Sequence, residues 1–133
     1  MILLDTHVAL WWATEPSRIS PRVVRELATS ERIHISPATC WEIAELVAIG
    51  RIELDRDVHV WMHGLCTKER VTITPIDPAI ATSAGMLPGQ GFPGDTADSL
   101  IYATARTFDL PLATKDRRLR DHARLAGDVR CIW

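Results

Sequence analysis

The segment Met1-Ile2-Leu3-Leu4-Asp5-Thr6 opens the chain with an apolar run that ends abruptly in an acid, and Val8, Leu10, Trp11 and Trp12 follow it. A short apolar run bounded by polar residues reads as a buried strand, and threonine is a residue type that caps a following helix. Residues 1–5 therefore predict a strand with Asp5 at its carboxyl end, and Thr6 is expected to cap the helix after it. The pattern returns near the other end of the chain, where Pro111-Leu112-Ala113-Thr114 reads as a buried strand ending at Lys115-Asp116, ahead of a helical stretch from Arg117 to Leu125.

Between these segments, strands and helices alternate. Ser20-Pro21 and Ser36-Pro37 each pair a capping serine with a proline suited to the first helical turn. They predict helices to Thr29 and from Ala38 to Ala48, the second closed by Gly50, with the strand Ile33–Ile35 between them. Further helices are expected over 57–69 and 78–86, a strand over 71–76, and a last strand over 129–133. Glycine and proline density marks residues 85–94 as a loop, after which Asp95 caps a helix reaching Phe108. Parallel neighbours need crossover connections, which helices supply, so this alternation predicts an α/β fold: a mostly parallel sheet covered on both faces.

The 133 residues, 47% hydrophobic and 24% charged, suit a single domain spanning 1–133. Charge and proline interrupt every apolar run before the roughly 20 residues that a membrane span requires, so no membrane association is expected. The acid at position 5 argues against a signal peptide. Three cysteines without CxxC spacing argue against a disulfide framework or a zinc site and favour a reducing cytoplasm. A net charge of -2 makes any nucleic-acid contact a local matter.

Four acids call for explanation. Asp5 and Asp116 fall at strand carboxyl ends, where open α/β sheets bind ligands. Asp98 lies in the first turn of the helix capped by Asp95, and a helix N-terminus tolerates negative charge. Glu42 and Glu45 are the only charges of a nearly apolar helix. Singly, each acid has a plainer role: Asp5 as a turn former, Asp98 as capping-box partner of Asp95, Asp116 as a solvated loop acid, Glu42 at a helix edge. Gathered together, four carboxylates would repel and raise one another's pKa values unless a hard divalent cation, Mg2+ or Mn2+, neutralised them. The chemistry such a site implies is phosphodiester hydrolysis.

These residues carry a family resemblance across nearly the whole chain. Leu3-Leu4-Asp5-Thr6-His7-Val8-Ala9-Leu10-Trp11, the segment from Ser36 through Trp41-Glu42 to Leu46, Phe92-Pro93-Gly94-Asp95-Thr96-Ala97-Asp98 with the apolar run after it, and Leu112-Ala113-Thr114-Lys115-Asp116 occur in the order found in PIN-domain ribonucleases of the VapC toxin type. The resemblance implies an α/β/α sandwich with a central parallel sheet. It also implies metal-dependent RNA cleavage by Asp5, Glu42, Asp98 and Asp116, with Thr6, Asp95 and Thr114 in support. A co-expressed antitoxin and a homodimer are the implied partners. The family segment often reads Asp-Pro-x-Asp-Arg, whereas this chain has Ser99 in the arginine position.

Lys115, Arg117, Arg118, Arg120 and Arg124 form a basic stretch suited to phosphate or, more plainly, a solvated helix face. His59 and His63 lack a third ligand and read as surface residues, and Trp11, Trp12 and Trp61 serve either a partner or the core. A phosphohydrolase with an aspartyl nucleophile would need an acid where His7 stands. A receiver domain is a weaker alternative, and a catalytically silent module binding RNA or an antitoxin is the main one. Clustering four acids gives such a scaffold no stability.

Overall fold

The computed structural model describes residues 1–133, and its sheet has five strands. In chain order the elements are β1 (Ile2–Leu4), α1 (Thr6–Thr14), α2 (Pro21–Thr29), β2 (Ile33–Ile35), α3 (Pro37–Ala48), α4 (Val58–Cys66), β3 (Val71–Ile73), α5 (Pro78–Met86), α6 (Thr96–Thr107), β4 (Leu112–Ala113), α7 (Arg117–Ala126) and β5 (Cys131–Ile132). The strand order is β3-β2-β1-β4-β5, and all four pairings are parallel. The chain therefore builds outward from β1 through β2 to β3, then crosses to the opposite side of β1 to add β4 and β5. That reversal leaves a crevice outside the carboxyl ends of the adjacent strands β1 and β4.

Alternation along β1 separates the two covering layers. Leu3 points into a core with Ile80 and Ala84 of α5, Ile101 and Tyr102 of α6, and Leu119 of α7. Ile2 and Leu4 point the other way, onto Val8 and Trp11 of α1 and Val23 and Leu27 of α2. Ile35 continues that second layer with Ile43 of α3 and with Trp61 and Leu65 of α4. The three-layer α/β/α sandwich follows from this division. Helix α3 spans the boundary, with Ala38 in the first core and Ile43 in the second.

Local chemistry accounts for the element starts. Ser20 and Ser36 accept from backbone amides at the heads of α2 and α3, each with proline in the first turn. Asp57, Asp77, Asp95 and Asp116 do the same for α4, α5, α6 and α7. At α1 the cap is Asp5 rather than the expected Thr6, because the Asp5 carboxylate accepts from the Thr6 amide at 2.8 Å and Thr6 is already helical. The strands are shorter than their apolar runs suggest; β3 stops at Ile73, just ahead of Pro75, which has no N–H for the ladder, and Thr74 bonds His34 Nδ1 through its hydroxyl at 2.8 Å. The expected loop 85–94 is more structured than its composition implies. Helix α5 runs to Met86, and Pro88–Gln90 forms a short 3-10 turn. Burial of Leu87 and Phe92 pins this segment, with the Phe92 ring 4.9 Å from Tyr102 and edge-on to His122 at 5.3 Å.

Leu3 is fully buried at the centre of the sheet, so Leu3→Ala removes packing on the layer that carries α5, α6 and α7. Urea denaturation is expected to show a loss of about 2–5 kcal/mol; a loss under about 1 kcal/mol would mean that this core does not depend on β1.

Candidate active site

The crevice beyond β1 and β4 is a cleft of about 390 Å3 lined by Asp5, His7, Trp11, Glu42, Asp95, Asp98, Lys115, Asp116 and Arg118. All four acids singled out in the sequence meet there, delivered by β1, α3, α6 and the turn after β4. Their environments differ.

Asp5 is 8% exposed, and both its oxygens are held: Oδ1 by the Thr6 amide at 2.8 Å and Oδ2 by the Thr114 hydroxyl at 2.6 Å. Burial raises its pKa despite the opposing pull of those two bonds. Thr114 is fully buried and also accepts from the Asp116 amide at 3.1 Å, so one hydroxyl ties the two strand-end acids together. The Thr6 hydroxyl pairs with Thr39 Oγ1 of α3 at 3.3 Å. Glu42, half-buried on α3, is raised by burial, lowered in part by the Thr6 hydroxyl, and raised further by Asp95 and Asp5.

Asp95 and Asp98 form a reciprocal capping box. Asp95 Oδ1 accepts from the Asp98 amide at 2.9 Å, and Asp98 Oδ2 accepts from the Asp95 amide at 3.0 Å. The plainer role foreseen for Asp98 is therefore real and coexists with its place in the cleft. Burial, then the Asp5 charge, push the Asp98 carboxyl up to about 7, with Asp95 and Glu42 adding to the shift. Gly94 makes room for this arrangement: a Cβ there would lie 2.5 Å from Asp98 Cβ and 2.6 Å from the Phe92 ring.

Asp116 departs from the expectation of four mutually repelling acids. Burial opposes its charge, but Arg118 outweighs it and holds the carboxyl below the usual range. The guanidinium folds back at 3.0 Å to Asp116 Oδ2, and the Arg118 amide donates to Oδ1 at 2.9 Å. The tight carboxylate cluster is instead Glu42, Asp95 and Asp98, whose oxygens approach within 4.8 Å of one another. Asp95 thus stands closer to the other acids than a neighbour's role implied, because α3 and α6 pack together there. An oxygen-only donor set, with Asp98 pushed towards neutrality, suits a hard divalent cation.

Of the basic stretch, only Lys115 and Arg118 reach the cleft; Arg117 and Arg124 pair with Asp121 on the helix surface. His59 and His63 are exposed, as expected. Trp11 and Trp61 belong to the core and Trp12 packs against it. His7 and the exposed Trp41 were not singled out as site residues. His7 lines the cleft, and Trp41 lies in an adjoining trough that shares His7, Glu42 and Asp95. Their signal was position alone: two residues beyond Asp5 and one before Glu42. Ser99 is 4% exposed with its hydroxyl unpartnered, so the arginine in this cleft is Arg118, contributed by α7.

A parallel α/β/α sandwich with carboxylates gathered at its topological switch point defines a class, and residues 2–125 match the PIN domain family, to which this chain belongs. Within it, the chain is 41% identical over 121 residues to Ribonuclease VapC22 of Mycobacterium tuberculosis, covering 91% of each sequence. Among solved structures it resembles FitAcB from Neisseria gonorrhoeae at 28% identity and a TM-score of 0.61, covering 100% of this chain and 97% of that one. VapBC2 from Rickettsia felis, bound to a promoter DNA fragment, shares the fold at 16% identity and a TM-score of 0.67, with 99% and 98% covered.

Two outcomes follow for the cleft. Between its ordinary value of 3.8 and about 7, the Asp98 carboxyl binds a proton when folded that it releases when unfolded, so its contribution to stability falls as pH rises through that window. Asp98→Asn keeps an oxygen for the Asp95 amide and removes the charge. In EDTA, urea denaturation is expected to show the variant more stable at pH 8 by about 1–2 kcal/mol, after allowing for solvent screening, and equal to the parent near pH 4; equal stability at both pH values would refute the repulsion. Gly94→Ala forces Asp98 or Phe92 aside and should cost about 1–3 kcal/mol in the same assay.

Proposed function

We propose that this chain is a divalent-metal-dependent endoribonuclease, the toxin of a toxin-antitoxin pair, and that residues 1–133 act as one nuclease domain. The observation that carries the reading is the approach of Glu42, Asp95 and Asp98 within 4.8 Å beside Asp5, at the crevice between β1 and β4. The similarity to a protein named as a ribonuclease points the same way. No helix of the chain is long and apolar enough to cross a membrane; we assign the work to the cytoplasm, where an RNA substrate would be met.

Asp5, Glu42 and Asp98 are assigned as ligands of a Mg2+ or Mn2+ ion, with Asp95 beside them and Asp116 completing the acidic rim. When bound, such an ion supplies Lewis acidity, withdrawing charge from the phosphodiester and making water more acidic. The chain's own groups do the rest. Lys115 and Arg118 hold phosphate oxygens and orient the backbone of the RNA, the role that Ser99 cannot take. Glu42 accepts the proton of the attacking water at a carboxylate oxygen. Thr6 and Thr114 fix Glu42 and Asp5 so that no reorganisation is needed as charge develops. A protein antitoxin and a second copy of the chain are the assigned partners, in keeping with the toxin-antitoxin complexes that share the fold; Trp41, Ile49 and Met86 are large apolar residues exposed for such contacts.

The test is cleavage of a mixed single-stranded and structured RNA pool by purified protein with Mg2+, Mn2+ or EDTA. Cutting should require the metal and fall by about 100-fold or more in Asp5→Asn and Asp98→Asn. Arg118→Ala should weaken RNA binding and its salt dependence more than it slows turnover. Metal-loaded, antitoxin-free protein that cuts no RNA would replace the enzyme by a binding module.

A further inference from the structure

Cys40 and Cys66 are 26 residues apart in sequence and lie on different helices, yet their sulfurs are 4.0 Å apart where α3 packs on α4. Both are half-buried thiols, reachable at the surface and free of any other partner among the hydrogen bonds of the fold. Cys131 is remote from them: it sits on edge strand β5, packed against the core that serves α5, α6 and α7. Two thiols within van der Waals reach on separate helices are a different matter from three unrelated cysteines. A disulfide requires sulfurs about 2.0 Å apart, so forming one would draw α3 and α4 together at this contact.

We propose that Cys40 and Cys66 form a reversible dithiol-disulfide site whose oxidant is a peroxide. Burial and the neighbouring sulfur raise the Cys40 thiol to about 11, so Cys66 is the attacking sulfur: as thiolate it attacks a peroxide oxygen, the O–O bond breaks, the leaving hydroxide takes up the thiol's proton as water, and the sulfur becomes a sulfenic acid. The second thiolate attacks that sulfur, the S–O bond breaks, a second water leaves and the S–S bond forms. Two thiols are oxidised, and one peroxide is reduced to two waters. The product staples α3, which carries Thr39 and Glu42, to α4 in the outer layer and closes the intervening stretch of chain, which restricts the unfolded state. The site stands on the helix packing alone and does not depend on the nuclease reading. It also revises the inference from cysteine spacing: the pair is legible only once α3 and α4 are folded together.

The experiment treats the purified full chain with hydrogen peroxide, denatures it, alkylates the remaining thiols and maps the peptides by mass spectrometry. Alkylatable thiols should fall from three to one, with a mass loss of about 2 Da and a single cross-link joining Cys40 to Cys66. The oxidised protein should melt at a higher temperature, and dithiothreitol should reverse both changes. Cys131→Ser should leave the result intact, whereas Cys40→Ser should stop at a Cys66 sulfenic acid that dimedone traps. The proposal is overturned if all three thiols persist until they take up oxygen irreversibly, or if the only disulfide formed is between chains through Cys131.

Discussion

The Asp5 carboxylate is the point on which the molecule turns. It ends the central strand, caps the first helix through one oxygen and receives the Thr114 hydroxyl from β4 through the other. A buried carboxylate without such partners would be neutral or would destabilise the fold. Its bonds therefore fix the relation of β1, α1 and β4, and the crevice between those elements is a by-product of satisfying one acid. The Thr114 hydroxyl extends the same arrangement to the backbone of Asp116.

Around that fixed point the remaining acids are sorted by what neutralises them. Asp116 has Arg118 and stays charged. Glu42 and Asp98 have one another, Asp5 and Asp95, and burial with mutual repulsion drives their carboxyls towards the protonated form. The chain tolerates this because both members of the α6 pair do structural work as caps, and because the Thr6 hydroxyl partly offsets the burial of Glu42. Net stability of a domain is small, so repulsion concentrated at one place is more than packing alone would select.

Most of the architecture is legible in the sequence. Strand-end acids stand out because an apolar run stops at them, and serine-proline pairs announce helices by a local mechanism. The four acids named in advance all reach one cleft. What could not be read were distances between elements. Whether Asp95 or Asp116 approaches Glu42 depends on how α3 and α6 pack, and the fold-back of Arg118 is a side-chain choice that spacing does not encode. The cap of α1 lies one residue before Thr6 because the Asp5 carboxylate accepts from the Thr6 amide and the Asp5 carbonyl from Ala9, which puts Thr6 inside the helix. The structure within residues 87–94 is not legible because composition registers glycine and proline but not the burial of Leu87 and Phe92.

The bond between Thr114 and Asp5 joins residues 109 positions apart. The capping box of Asp95 and Asp98, by contrast, is a three-residue affair that can form with its helix. During synthesis the amino-terminal strand emerges first and must wait for its β4 neighbour, which follows β2 and β3 in the chain. A nascent chain thus carries Asp5, Glu42, Asp95 and Asp98 without a closed cleft until β4 has been made. The cleft is therefore a property of the finished fold and of no local segment, whereas the helix caps around it belong to their own few residues.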